Sequence, residues 1–356
     1  MFDGLDKLVE IRKKSKADVL FSIKSLAEVN TLKLIAEVVD GFSTSSLFEA
    51  RLVHDEVKIS RDRVHIVSPG LKEEDIREIA YYAGNINYNS IEQAKRLHPL
   101  IKQQYNAGIR VNTGVSSVSE ARYDPCKIGS KLGVPIGDLK KRWKELDFVK
   151  MIHFHTNCEG TNPEELLENV RELLKLEFLD KVLCVNIGGG YYFHEIKDLS
   201  PLYEAIELLK DRGVKVIMEP GGTVVKQAGS MIASVTDIFE NSGKKIAIID
   251  ASVNHLPEVL EYNFKLDVGE SVGVSKHEYI VAGPTCLAGD DFGTYYFAEP
   301  LEIGSRITFM NVGSYSMVKS HMFNGVNLPD IYTTNLSGKL TLRKSFDYSD
   351  FRSKWV

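Results

Sequence analysis

The sequence predicts an α/β protein: a (β/α)8 TIM-type barrel over residues 1–235, then a C-terminal β domain, sandwich- or barrel-like, over 236–356. Three observations carry this. Short apolar runs alternate eight times with segments of helical period, the rhythm of parallel strands joined by helical crossovers. Eight such units in this length match one closed barrel. Beyond residue 235 the helical segments stop, and short strands follow one another between Gly, Asn and Asp turns.

In chain order the eight runs are VLFSIK, VVDGFST, RVHIVSP, GNINYN, AGIRVNT, VKMIHFHT, VLCVNIGG and VKVIMEPGG. Between them lie LAEVNTLKLIAEV, LKEEDIREIAYYA, SIEQAKRL, NPEELLENVRELLKL and PLYEAIELLKDRG, with apolar residues at helical spacing. Residues 113–134 interrupt the pattern with SSVSEARYDPCKIGSKLGV, too long for a plain connection and therefore a functional loop or a disordered one. The β domain supplies KKIAIIDAS, EYIVAGPTC, RITFMNVGSYS and KLTLRKSF.

Composition narrows the function classes. The 356 residues are 43% hydrophobic and 26% charged, an ordinary globular balance. A net charge of -5 argues against nucleic acid, which needs clustered Lys and Arg. A mildly acidic surface tolerates cationic substrates. No apolar run approaches the ~18 residues that span a membrane. The opening MFDGLDKLVEIRKKSKAD lacks the apolar centre of a signal peptide. Cys126, Cys158, Cys184 and Cys286 are far apart with no C-x-x-C pair, which reads as reduced thiols in a cytoplasm.

Barrel sites are built where strands end at the C-terminal face, so unusual residues there carry weight. Lys24 ends strand one, Arg110 and Asn112 strand five, His153 and His155 strand six. Gly188, Gly189 and Gly190 follow strand seven, and Glu219, Pro220, Gly221 and Gly222 end strand eight. Singly, each has a bland reading as a solvated strand end or a tight turn. Together they converge on one mouth. The glycines let backbone N–H groups approach a phosphate. Glu219 beside a phosphate site is electrostatically odd unless it pairs with a cation on the same ligand, such as a protonated pyridine nitrogen. A lysine for a Schiff base, a phosphate loop, a carboxylate for a ring nitrogen and a histidine to cover the ring describe pyridoxal phosphate. His153 and His155 alternate on a strand and also have metal-ligand spacing, but neither NIGGGYYFHEIKD nor EPGG offers a complementary ligand set. No metal is expected.

With these residues assembled, nearly the whole chain resembles the fold-type III, alanine racemase-like pyridoxal phosphate decarboxylases, which include ornithine, arginine and diaminopimelate decarboxylases. The matching motifs are FSIKS, HFHTN, GGG, EPG, GPTCLAGD and GSYS, in family order. HFHTNCE, IIDASVNHLPEVLEY and GPTCLAGDDFG are similar to the carboxynorspermidine/carboxyspermidine decarboxylase subfamily. Two departures from the ornithine type agree: EPGR is EPGG here, so Gly222 removes an arginine, and the Cys-Asp pair is Cys286-Leu287. Family chains usually start with a short strand that joins the β domain, whereas MFDGLDKLVE reads as the interior of the first helix.

The resemblance implies roles. Lys24 holds the cofactor, Glu219 keeps the pyridine nitrogen protonated and His155 stacks on the ring. Gly188, Gly189, Gly190, Gly221 and Tyr315 hold the phosphate end, and Arg110 supports the cofactor from strand five. His153 shares the inward face or is a packed barrel histidine. Cys286, otherwise readable as a small buried hydrophobe, is implied as the acid that reprotonates the α-carbon. Asp290 and Asp291, with Glu258 and Glu261 as weaker candidates, would meet the distal ammonium groups of a carboxylated polyamine. The solvated-turn reading of the two aspartates stands beside this. A homodimer with shared sites is implied, with no nucleic-acid or membrane partner. A diaminopimelate, lysine or ornithine decarboxylase is the rival, and a non-catalytic cofactor-binding homologue the remote one.

Overall fold

Nine parallel strands form the first sheet: β1 (Asp18–Ser22), β2 (Gly41–Thr44), β3 (Val64–Ser68), β4 (Asn85–Tyr88), β5 (Asn106–Asn112), β6 (Val134–Pro135), β7 (Met151–His153), β8 (Cys184–Asn186) and β9 (Lys215–Met218). The computed structural model describes residues 1–101, 105–263 and 265–356. The strand order is β4-β3-β2-β1-β9-β8-β7-β5-β6, and β4 also pairs with β5, which closes the ring. β6 only extends the end of β5, at Val111 and Asn112. The other eight strands are the expected barrel. Eight helices accompany them: α1 (Phe2–Ser15), α2 (Val29–Ala36), α3 (Leu47–Asp55), α4 (Ile76–Tyr82), α5 (Ile91–Ile101), α6 (Ile136–Arg142), α7 (Glu164–Leu174) and α8 (Ser200–Lys210).

Local chemistry sets these elements. At the start of α3, Ser46 Oγ accepts from Glu49 N (3.2 Å) and Glu49 Oε2 accepts from Ser45 N (2.6 Å), so the terminal amides are satisfied. α7 buries Leu166, Leu167, Val170 and Leu173 on one face. Alternate strand residues face opposite ways. Val19, Phe21, Phe42, Ile66, Ile86, Ile109, Ile152 and Val185 join the large core that packs against the helices. Leu20, Met151 and Ile217 form a separate small cluster, with Cys184 packed against it. The residues that share the second parity toward the strands' C-terminal ends are polar: Ser22, Ser43, Asn87, Arg110, His153, Asn186 and Glu219 are all buried. The apolar cluster therefore fills the barrel floor and leaves a polar upper layer.

Residues 113–133 contain no helix or strand, yet they are tied down. Ser117 N donates to Glu165 Oε2 at 2.8 Å, Ser116 Oγ to Thr156 O at 2.9 Å and Gly133 N to Asn89 Oδ1 at 2.9 Å. Of the two expectations for this segment, a functional loop or a disordered one, the disordered one is not met.

The chain divides into two compact units, Met1–Val225 and Lys226–Val356. That division precedes the 235/236 boundary read from the change of rhythm. The reason is that β10 (Met231–Asn241) is one continuous strand of the second unit. β10, β11 (Lys244–Ile249), β12 (His277–Ala282), β13 (Asp291–Phe297) and β14 (Arg306–Phe309) make a sheet in the order β13-β12-β11-β10-β14. A single segment bridges its two edges. Gly269 N donates to Thr308 O (2.9 Å) beside β14, and Val272 N donates to Tyr296 O (2.8 Å) beside β13. The bridge takes up edge hydrogen-bonding groups that would otherwise stay open. The β domain is thus barrel-like. A separate hairpin, β15 (Ile331–Thr334) and β16 (Leu340–Lys344), follows. Among the described residues, no helix is long and apolar enough to cross a membrane.

Candidate active site

The first unit gathers its polar residues at the C-terminal ends of the barrel strands. β1 stops at Ser22, and Lys24 lies on the following 3-10 turn, Ile23–Ser25. Ile23 and Ser25 are buried and Lys24 is exposed, so the turn directs the amine into the open barrel mouth while its neighbours anchor it. Surrounding protein still lowers the Lys24 pKa by desolvation, aided by Arg110 and opposed by Glu219. A lowered pKa favours the neutral, nucleophilic amine.

Glu219 follows β9. Its Oε1 accepts from Asn186 Nδ2 at 2.7 Å, and its Oε2 lies 3.5 Å from His153 Nε2. Burial pushes the Glu219 carboxyl up, but His153, the Asn186 hydrogen bond and Lys24 outweigh it and hold the group below the usual carboxylate range. Burial lowers the His153 pKa, and Glu219 opposes that shift. His153 Nε2 faces Glu219, and Nδ1 has no hydrogen-bond partner among the described residues. Arg110 is pushed down by burial to about 10 and stays a cation.

The glycines bring these groups together. Gly189 N donates to His155 Nδ1 at 3.0 Å, and Gly188 N donates to Asn186 Oδ1 at 2.9 Å. Because His155 Nδ1 accepts, a neutral ring carries its proton on Nε2. Burial, then Lys24 and Arg110, lowers the His155 pKa well below normal, which keeps that ring neutral. Arg110 donates to His155 O at 3.3 Å. Gly188 and Gly190 have φ of 70° and 92°, which side chains resist. A Cβ on Gly189 would strike Glu219 O, and one on Gly221 would stand 2.9 Å from Ser25 Oγ. Pyridoxal phosphate needs an amine, close backbone for its phosphate, a carboxylate for its ring nitrogen and a flat neutral group beside the ring. Lys24, the glycine backbone at Gly190 and Gly221, ionised Glu219 and neutral His155 fit those needs.

Of the two histidines with metal-ligand spacing, His155 accepts from Gly189 N and His153 faces Glu219, and among the described residues no group of three or more His, Cys, Asp or Glu is placed to hold a metal. Asn186 was missed by the sequence reading. Its only signal was an inward polar residue two positions before a glycine run.

The second unit is described by itself. Cys286 is exposed in the loop between β12 and β13, and its N–H donates to Asn324 Oδ1 at 2.9 Å. Tyr315 has φ of 62° at the start of the helical turn Ser316–Lys319. Lys319 Nζ lies 3.0 Å from Glu258 Oε1 and 2.6 Å from Glu261 Oε2. Both glutamates expected to meet a substrate ammonium already hold one from their own chain. Asp291 is exposed at the start of β13 and accepts from Gly293 N at 2.6 Å. Asp290 departs from expectation. It is only 3% exposed, and its carboxylate takes four donors from its own unit. Those bonds commit the oxygens that a substrate ammonium would need.

Comparison with known proteins adds the following. The family described as "Pyridoxal-dependent decarboxylase, C-terminal sheet domain" matches residues 38–313. A carboxynorspermidine/carboxyspermidine decarboxylase of Campylobacter jejuni is 32% identical, over 97% of this chain and 93% of the relative. A carboxyaminopropylagmatine decarboxylase of Synechocystis is 30% identical, over 97% and 90%. The crystal structure of Campylobacter jejuni carboxynorspermidine decarboxylase complexed with norspermidine superposes with a TM-score of 0.88 at 28% identity, covering 99% of this chain and 96% of that one.

Proposed function

The chain belongs to the pyridoxal-dependent decarboxylases, and from that membership we propose that it decarboxylates carboxynorspermidine, carboxyspermidine or both. The observation that carries this reading is the meeting of Lys24, His155, Gly189 and Glu219 at one barrel mouth, with Gly189 N on His155 Nδ1 at 3.0 Å. The names of the relatives support the carboxylated polyamine as substrate.

When bound, pyridoxal phosphate supplies an aldehyde for an amine and a cationic ring that accepts the electron pair left by departing CO2. Lys24 would supply the amine that holds the cofactor's aldehyde. Glu219, kept ionised by Asn186, holds the proton on the ring nitrogen. Neutral His155 would cover the ring face. Gly190, Gly221 and Tyr315 would receive the phosphate, since Asn186 and His155 take the N–H groups of Gly188 and Gly189, and Arg110 supports His155 through its backbone oxygen. At the substrate the C–C bond to the carboxylate breaks, CO2 leaves, and a new C–H bond takes its proton from the Cys286 thiol. Water then restores the thiol, so one proton is consumed per CO2. Positioned proton delivery of this kind contributes ~10²–10⁴-fold. Asp291, and Glu258 with Glu261 in exchange for Lys319, would receive the distal ammonium groups.

The same reading carries a homodimer with shared sites. The β15–β16 hairpin supports it: Tyr332, Leu336, Leu340 and Leu342 are exposed, and no residue of either strand is buried. A lone two-stranded hairpin is marginal in water and gains from a partner. Sedimentation velocity should show a dimer, and a monomer at micromolar concentration would refute that part. The four free thiols fit a reducing, cytoplasmic setting.

The decisive assay gives the holoenzyme carboxynorspermidine, carboxyspermidine, carboxyaminopropylagmatine, diaminopimelate and ornithine side by side. CO2 release from either of the first two is expected. Release from diaminopimelate or ornithine alone would overturn the assignment.

A further inference from the structure

The loop Gly283–Asp290 joins β12 to β13 and carries Cys286 at its middle. Its shape is set from one point, the buried Asp290 carboxylate. Oδ2 accepts from Thr285 N (3.1 Å) and Thr285 Oγ1 (2.6 Å), the residue next to the cysteine. Oδ1 accepts from Ser252 Oγ (3.1 Å) and Val253 N (2.8 Å), just past the end of β11. At the loop base Gly283 N donates to Asp290 O at 2.8 Å, and a Cβ on Gly283 would collide with the Asp290 carboxylate. Cys286 N then donates to Asn324 Oδ1 at 2.9 Å. β11 and β12 run parallel, so their ends lie side by side and one carboxylate can reach both.

Four donors converging on one side chain need a group that only accepts, and an ionised carboxylate is that group. Burying a charge is costly unless hydrogen bonds replace its hydration, as these four do. A carboxylate placed so is an unusual way to close a plain turn. Resting on the reading of Cys286 as the proton donor, we propose that Asp290 is a positioning residue for Cys286. It clamps the thiol's loop to the end of β11, and it does not touch the substrate.

The test uses full-length holoenzyme carrying Asp290→Asn, which keeps the shape but turns one acceptor into a donor facing donors. The readout is the amine product formed per CO2 released from carboxynorspermidine. It should fall at least about threefold, in the direction of Cys286→Ala, as expected when a positioned proton donor is displaced. In the double variant Asp290→Asn with Cys286→Ala the ratio should fall no further than in Cys286→Ala alone, because both changes remove one function. A purely structural role would lower CO2 and amine together and leave the ratio at the wild-type value, which would overturn the proposal. Should Asp290→Asn fail to fold, Thr285→Val removes a single donor. It should lower the same ratio to a lesser degree, and an unchanged ratio there refutes the clamp. If the wild type releases no CO2 from either polyamine, the functional reading fails by itself. The clamp is then judged by amide hydrogen exchange over 283–290, which should quicken by about tenfold in Asp290→Asn as the Thr285 N–H loses its acceptor. Unchanged exchange would refute it.

Discussion

Asn186 on β8 donates to Oε1 of Glu219, just past the neighbouring strand β9, at 2.7 Å and accepts from Gly188 N at 2.9 Å. One side chain thus ties the glycine run to the carboxylate at the far end of the proposed cofactor. Replacing it with aspartate would set an acceptor against an acceptor in a buried site. Asn186→Asp should weaken pyridoxal phosphate binding by at least about tenfold, in line with the ~1–3 kcal/mol of an unmet buried hydrogen bond. Titration of the apoenzyme with cofactor, followed by visible absorbance, measures this. Affinity equal to wild type would mean that Asn186 does not govern Glu219.

Lys24→Ala removes the amine from the turn Ile23–Ser25 while leaving its buried neighbours in place. The variant should fold and lose the absorbance band that the resident lysine gives the bound cofactor. A spectrum identical to wild type would exclude Lys24 as the anchoring amine.

Cys286 is exposed in its loop. Cys286→Ala should therefore keep its folding stability. CO2 should still be lost, more slowly by roughly 10-fold or more. The amine product should fall short of the CO2 evolved. Wild-type kinetics with matched product would remove Cys286 from the reaction.

Acid should loosen the barrel. Burial pushes His65 down from 6.5 to about 4, and His153 and His155 shift in the same direction. Between those two pH values the unfolded chain binds the proton and the folded one does not. The stability contribution is therefore complete above pH 6.5 and drains as pH falls toward 4, by up to about 1.4 kcal/mol per pH unit for each such group. Calorimetry at pH 7, 6 and 5 should show a falling unfolding temperature, with a shallower fall in His65→Gln. An equal slope in that variant would show that His65 is not among the groups responsible.

Much of the architecture was legible before any coordinates. Parallel barrel strands are buried on both faces, so VLFSI, VHIV and CVNI stand out as apolar runs, and the amphipathic helices between them keep their own period. Strand order needed nothing more, since each crossover places consecutive strands side by side. The residues at the strand ends could be ranked because the fold sends its chemistry to that face. What escaped the sequence were partners far apart along the chain. Asn186 and Glu219 are 33 positions apart, and Ser252 and Asp290 are 38 apart. Periodicity shows which way a side chain points, not what it meets.

By itself, the sequence determined the two-unit α/β fold, the cofactor class and the amine, carboxylate and glycines that suit it, because these follow from alternation, strand ends and local motifs. The tertiary structure decided which of two adjacent aspartates faces inward. Asp290 and Asp291 are neighbours of the same chemistry, yet strand alternation buries one under four donors and leaves the other in solvent. It also decided that Lys319 holds Glu258 and Glu261. Both outcomes depend on the strand ends and helical turns that folding brings within hydrogen-bond reach, a distance that no local pattern encodes.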